Sequence, residues 1–419
     1  MKTNILTSFI IIIFWGYSTS YANISNPQLQ SDSILIKYLK ECSIQTSKEN
    51  NLRILKNGKE KFTDLFEEIK KAKHHVHLEY FNFRNDSIAN CLFDILEEKA
   101  KEGVEIRALY DAFGNSSNNR PLKKKHLKEI REKGIEIVAF DPLKFPWINH
   151  AFHRDHRKIV VIDGKTGYIG GMNIADYYIT GLPQIGEWKD IHIRINGKAV
   201  EDLQNIFLGM WNKTTKQKVE GFAYYPFSKD SINTSNIGKE IAIVDRYPKR
   251  NPQTMRKAYA KAIESAEEKV QIINPYFTPT RIIKKAIKKA VKKGVQVEIM
   301  IPGKSDIPFT PDAALYIANN LRKKGADIYI FNGGFHHSKI MMIDSLYCTV
   351  GSTNLNSRSL RYDYEVNAFI FDQQTTAELI DIFEKDQKNS TLLTNEIYQK
   401  RTPWKKFLGW FAHLFTPFL

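Results

Sequence analysis

The sequence predicts an α/β fold built as two duplicated domains, each a mixed β-sheet flanked by helices, that form one pseudo-symmetric site where they meet. Three observations predict it. Helical and strand patterns alternate through both halves of the chain, glycines that close equivalent helices recur at one fixed offset, and one polar motif occurs twice.

The alternation begins after a polar stretch. Residues 60–73 carry a helical period, HHVHLEYFNF (74–83) reads as a strand, 87–102 as a helix, VEIRALYD (104–111) as a strand, 121–133 as a helix and IEIVAFD (135–141) as a strand. The second half repeats the series. Met255 to Glu268 is a helix, 270–277 a strand, Arg281 to Lys293 a helix, 295–302 a strand, Asp312 to Lys324 a helix and 326–331 a strand. Gly103 stands 191 residues before Gly294, and Gly134 stands 191 before Gly325. A glycine stop belongs where a helix ends in a left-handed residue, so one offset held through two α/β units marks duplication.

The chain has 419 residues, with 62 Lys+Arg against 46 Asp+Glu and a formal net charge of +16. At 42% hydrophobic and 26% charged it is neither disordered, collagenous nor a polytopic membrane protein. The basic surplus points to an anionic partner: nucleic acid, anionic lipid or a phosphorylated substrate. Cys42, Cys91 and Cys348 lack metal-like spacing and are too few for a disulfide framework. At the amino terminus Lys2 precedes an apolar run from Ile5 to Tyr17 and small residues ending at Ala22, the order of a secretory signal peptide or a signal anchor. The expected organisation is a signal segment over 1–22, a linker with one short helix over 23–50, a first domain over 51–240, a second over 241–395 and an amphipathic helix over 396–419.

The motif carries the chemistry. In the first copy His156-Arg157-Lys158 is followed after four residues by Asp163 and, six later, by Gly170-Gly171-Met172-Asn173; in the second His337-Ser338-Lys339 is followed by Asp344 and by Gly351-Ser352-Thr353-Asn354. Of eleven histidines only His126, His156 and His337 have Lys two places on, and His126 has Lys133 where the aspartate belongs. Strand alternation would put His156 with Lys158, and His337 with Lys339, on one side. Asn173 and Asn354 return after turns at Asp163-Gly164 and Asp344-Ser345. Two such half-sites facing each other suit a phosphodiester. Two lysines and two asparagines donate to the non-bridging oxygens as phosphorus becomes five-coordinate. One neutral histidine attacks phosphorus, giving a phosphohistidine, and the other, protonated, serves the leaving alkoxide and then the incoming acceptor. No metal and no cofactor is required. Each histidine also needs a carboxylate on its far nitrogen, and Asp190 and Glu365 follow the motifs at matching places. Asp163 and Asp344 belong to the motif, but their place at the turns suits capping better than substrate contact.

On these residues the chain resembles the phospholipase D superfamily, whose signature is H-x-K-x4-D-x6-G-G/S-x-N twice in one chain, and within it the bacterial cardiolipin synthases. Supporting stretches run through residues 50–419, among them HHVHLEYFNFRND (74–86), HRDHRKIVVIDGKTGYIGGMNIADYY (153–178), EWKDIHIRI (187–195) and HHSKIMMIDSLYCTVGSTNLNSRSLRYDYEVN (336–367). The resemblance implies two phospholipase D-like domains with His156, Lys158, Asp163, His337, Lys339 and Asp344 as the catalytic set. His156 would be the nucleophile and His337 the acid/base, with Asn173 and Asn354 binding phosphate and Asp190 and Glu365 orienting the histidines. It departs from better known synthases at the amino terminus, where a signal-like segment replaces two transmembrane helices.

The carboxyl terminus separates lipid from nucleic acid. Trp404, Phe407, Leu408, Phe411, Leu414, Phe415 and Phe418 recur at three- and four-residue steps, Lys400, Arg401, Lys405, Lys406 and His413 lie elsewhere, and no acidic residue follows Glu396. Such a helix suits the interface of an anionic bilayer, against the plainer reading of a helix docked on the protein's own core. The lysine-rich helix Arg281–Lys293 is read as a solvated face, and the Phe145-Pro146-Trp147 loop, in an insertion before the first catalytic segment, as a candidate substrate wall. The expected activity is phosphatidyl transfer between two phosphatidylglycerols at a membrane surface, releasing glycerol. A phospholipid hydrolase, a secreted metal-independent endonuclease and an inactive lipid-binding protein are the alternatives.

Overall fold

A computed structural model describes residues 34–142, 152–228, 238–307 and 310–416. The signal segment, residues 23–33 of the expected linker, the Phe145-Pro146-Trp147 loop and Phe418 lie outside them.

Two mixed sheets form the frame. The first contains β1 (Asn50–Leu55), β2 (His75–Tyr80), β3 (Glu105–Asp111), β4 (Glu136–Phe140), β5 (Lys158–Ile162), β6 (Thr166–Gly170) and β8 (His192–Gly197), in the order β1-β8-β6-β5-β2-β3-β4; β7 (Trp188–Lys189) stands apart. The second contains β9 (Glu240–Arg246), β10 (Lys269–Ile273), β11 (Gln296–Pro302), β12 (Asp327–Phe331), β14 (Ile340–Ile343), β15 (Tyr347–Gly351), β16 (Glu365–Phe371) and β17 (Ser390–Leu392), in the order β17-β12-β11-β10-β14-β15-β16-β9. Apart from the extra edge strand β17, the orders are the same. In each, three parallel strands with helical crossovers are followed by antiparallel neighbours. Duplication therefore extends to topology. The stop glycines behave as expected: Gly103 and Gly294 have φ of 89° and 91°, and Gly134 and Gly325 of 82° and 105°, backbone that a β-carbon disfavours.

Strand alternation sorts the core into layers. On β5, Val160 and Ile162 face the helices, while Ile159 and Val161 join Ile340 and Met342 of β14 and Val350 of β15 in a core shared by both sheets. The two copies are thus packed sheet to sheet, and a Leu- or Ile-to-Ala change there costs about 2–5 kcal/mol.

Two terminal segments differ from expectation. The helix Ile34–Glu41 is not part of a free linker: Leu35, Ile36 and Leu39 are buried in the second copy's core, so the chain crosses that copy before entering the first at β1. The carboxyl-terminal helix Pro403–Leu414 docks on the helix Thr310–Arg322 through small residues. Gly409 is buried, and a Cβ there would press on the Asp312 carbonyl. Its aromatic face points away from the protein, with Trp404 66% exposed and Phe407, Trp410, Phe411, Leu414 and Phe415 all exposed; Leu408 is half-buried. No helix of the described residues is long and apolar enough to cross a membrane.

Candidate active site

The histidines lie just ahead of the strands rather than in them, because β5 starts at Lys158 and β14 at Ile340. Each runs instead beside a segment of the other copy. His337 N–H donates to the Lys189 carbonyl at 2.6 Å, next to the parallel pairing of β13 (Phe335–His336) with β7. His156 N–H donates to the Tyr364 carbonyl at 3.0 Å, next to a parallel bridge of Asp155 with Tyr364. The orienting acids are therefore exchanged. His156 Nδ1 is 3.0 Å from Glu365 Oε1 of the second copy, and His337 Nδ1 is 2.6 Å from Asp190 Oδ2 of the first. With Nδ1 on the carboxylate, Nε2 is the nitrogen each ring has left for chemistry, and that of His337 lies 3.0 Å from the Lys339 ammonium.

The motif's other members divide by task. Lys158 and Lys339 are fully buried and their ammonium groups contact the carbonyls of His156 and His337. Asn173 and Asn354 are buried, and each leaves its Oδ1 without a protein partner. Asp163 and Asp344 bind backbone rather than substrate. Asp163 accepts from the N–H groups of Lys73, His74 and His75 at 2.9, 2.8 and 3.0 Å; Asp344 accepts from Glu267, Glu268 and Lys269 at 2.8, 2.9 and 2.7 Å. Their φ values of 52° and 50° place them in left-handed turns, where Asp is tolerated. They fix the entry to β2 and β10 and the register of the motif hairpins.

The second glycine of the motif has a spatial reason. A Cβ at Gly171 would overlap the Asp190 carboxylate, so a short acid sits against a bare backbone. In the second copy Ser352 stands at that place and its hydroxyl donates to Glu365, the longer acid. His192 and Asn367 repeat a supporting role. Met172 N–H reaches His192 Nδ1 at 3.4 Å and Thr353 N–H reaches Asn367 Oδ1 at 3.3 Å, bracing the backbone before each asparagine.

Burial sets the charges. It lowers Lys158 to about 7 against the pull of Glu365, and Lys339 to about 8 against Asp190 and Glu365. Burial and the Lys339 charge lower His337 to about 4, although Asp190 opposes them. Burial, then Lys158, Lys339 and Arg358, hold His156 well below the usual imidazole range. Both imidazoles are therefore neutral near pH 7. Burial also pushes Glu365 up to about 7, whereas on Asp190 Lys339 and His337 outweigh burial and hold the carboxyl below its ordinary value.

Several neighbours are not legible as site residues in the motif. Asp111 grips the Arg154 guanidinium from both carboxylate oxygens at 3.0 Å and accepts the Asp155 N–H at 2.8 Å, holding the segment ahead of His156. Asp386 binds His336 Nε2 at 2.9 Å and also contacts Lys189, tying the neighbours of His337 and Asp190 together. Arg358 lies on the His156 side, and Tyr276 and Asp306 on the His337 side. The offset of 191 carries Asp111 to Pro302 and the motif offset of 181 carries Arg154 to Phe335. No repeated signal marks this pair.

A family model described as cardiolipin synthase, PLD-like domain, matches residues 65–211 and 259–387. Cardiolipin synthase of Listeria monocytogenes is 36% identical over 397 residues, covering 94% of this chain and 80% of that protein. The major cardiolipin synthase of Bacillus subtilis is 37% identical over 375 residues (89% and 76%), and cardiolipin synthase 2 of Staphylococcus epidermidis 39% over 373 (88% and 75%). Among solved structures, phosphatidylserine synthase of Haemophilus influenzae superposes with a TM-score of 0.69 at 15% identity, covering 92% of this chain and all of that one, a likeness of fold.

Proposed function

The chain belongs to the PLD-like cardiolipin synthase family, and from that premise we propose that it transfers the phosphatidyl group of one phosphatidylglycerol to the hydroxyl of another, releasing glycerol and forming cardiolipin. The observation that carries the reading is the pair of crossed histidine–carboxylate contacts, each histidine followed two residues on by a buried lysine.

In the proposed reaction His156 Nε2 attacks phosphorus while Glu365 steadies Nδ1. The P–O bond to glycerol breaks, and the leaving oxygen takes a proton from His337. The bound phosphodiester anion favours a protonated His337, as does ionised Asp190, so a ring that is neutral in the free protein is charged in the complex. The second phosphatidylglycerol then gives its hydroxyl proton to His337, its oxygen attacks phosphorus, and the P–N bond to His156 breaks. Lys158, Lys339, Asn173 and Asn354 hold the non-bridging oxygens. Asp190 suits the acid/base partner because it remains ionised, whereas Glu365 loses much of its charge to burial.

The partner is an anionic phospholipid surface. The exposed aromatic face of Pro403–Leu414 and the nearby Lys405 support contact with an anionic bilayer, which weakens as salt rises. The amino-terminal segment, as a signal peptide or anchor, would put the catalytic domains on the non-cytoplasmic side. Purified protein given phosphatidylglycerol vesicles should form cardiolipin and free glycerol. Appearance of phosphatidic acid alone would refute the transferase reading.

A further inference from the structure

Beyond the motif residues, the two sides of the reaction centre present different groups. On the His156 side stands Arg358, whose charge helps lower that imidazole; its Nε is 3.1 Å from Asp363 and its guanidinium lies over the Phe113 ring. On the His337 side stands a carboxylate, Asp306, in the loop after β11. Asp306 Oδ1 accepts the Tyr276 hydroxyl at 2.6 Å and lies 3.4 Å from the Ser305 hydroxyl. Tyr276 meets the His337 ring edge-on, with centroids 5.9 Å apart. Asp306 is close enough that its charge acts on His337, Lys339 and Tyr177. It is exposed, and both hydrogen bonds use Oδ1, leaving Oδ2 as an acceptor.

A carboxylate beside a site for a phosphodiester repels the phosphate, and Arg358 on the other side attracts it. What a carboxylate favours is a hydroxyl donor, through a charge-assisted hydrogen bond. Resting on the transferase reading above, we infer that Asp306, held by Tyr276, binds the hydroxyls of the polyol headgroup beside His337 and so selects a glycerol-type alcohol over a monohydric one. The same subsite serves both half-reactions. The leaving glycerol keeps its other hydroxyls on Asp306 as its oxygen takes the proton from His337. The acceptor headgroup then binds the same way, its reacting oxygen bonds phosphorus as the P–Nε2 bond of His156 breaks, and its proton goes to His337. Asp306 touches the part of the substrate that does not react, and its effect is on which alcohol is used.

The test compares two monoanionic donors, phosphatidylglycerol and phosphatidylethanol, present together in one detergent mixed micelle, so that surface charge is the same and the phosphatidylglycerol hydroxyl is the acceptor for both. Total glycerol or ethanol released is measured for the native protein, Asp306→Asn and Tyr276→Phe. Loss of a hydrogen bond to a charged group predicts that Asp306→Asn lowers the glycerol-to-ethanol ratio on the order of tenfold to a hundredfold. Tyr276→Phe, which frees the carboxylate without removing it, should lower the ratio less. An unchanged ratio, whether both rates are retained or both fall together, overturns the assignment. If the native protein turns phosphatidylglycerol into phosphatidic acid only, the transferase reading fails, while the headgroup ratio still reports on Asp306.

Discussion

The half-site around His156 and the half-site around His337 come from one duplicated unit, yet they are supported by different physics. The segment before His156 is held by a buried ion pair, Asp111 with Arg154, while the matching positions before His337 are Pro302 and Phe335, the latter packed on Trp188. His156 has Phe81 beside it at 5.1 Å and a partly open ring, 15% exposed. His337, at 7%, is enclosed by Trp188, Phe335 and Tyr276. Their acids also diverge, one pushed up to about 7 and the other held down. The lesson is that duplication kept the imidazoles and their acids and released their supports, which gives two chemically identical rings different surroundings.

The sharpest way to break this comparison is to remove each histidine. His156→Ala and His337→Ala should each lower cardiolipin formation by about 10²–10⁴-fold or more. They separate on a phosphatidyl ester of p-nitrophenol, whose leaving group needs no proton. His337→Ala should still release a burst of p-nitrophenol, and His156→Ala should not; the opposite pattern would exchange the roles. Next in size is the support. Asp111→Asn leaves Arg154 buried beside a neutral amide and should cost about 3–5 kcal/mol of stability, seen in chemical denaturation. Phe335→Ala on the other side should cost a similar amount, about 3–5 kcal/mol, as a cavity.

The acids come third. Asp190→Asn should lower turnover by about 10²-fold, because His337 loses the charge that stabilises its protonated form, while Glu365→Gln should cost distinctly less. Equal losses would erase the electrostatic difference between the half-sites. The lysines give a pH dependence of up to about tenfold per unit each. A bound phosphodiester raises both of their pKa values, so the lysines' share of the affinity is full below the free value of about 7 for Lys158. It falls as pH rises above about 7 and then above about 8, by up to about tenfold per pH unit for each lysine. Titration calorimetry with glycerophosphoglycerol, whose charge is constant in this range, measures it. The smallest effect is expected for Ser352→Gly. It loses the hydroxyl that donates to Glu365 and accepts the Val366 N–H, about 1–2 kcal/mol, whereas Gly171→Ser forces Asp190 to move and should cost more activity.

Much of this was legible before any coordinate. The helix and strand series, the glycine stops and the twin motifs rest on local rules, hydrophobic period and left-handed turn chemistry, and each repeats at a fixed offset. The strands β1, β9 and β17 and the buried helix Ile34–Glu41 were not legible as parts of the two units, since their partners lie far along the chain. The tail was legible as amphipathic, but only its packing on the Thr310–Arg322 helix shows that Gly409 docks and the aromatic face is free.

The sequence by itself determined the duplication, the α/β class and the pairs His156/His337, Lys158/Lys339, Asn173/Asn354 and Asp190/Glu365, because spacing along a chain is information the chain carries. Only the tertiary structure decided which acid meets which histidine, which backbone N–H groups Asp163 and Asp344 cap, and that Arg358 and Asp306 face opposite sides. Those are consequences of sheet packing, which joins residues as distant as 156 and 365, and no local pattern records a contact across that separation.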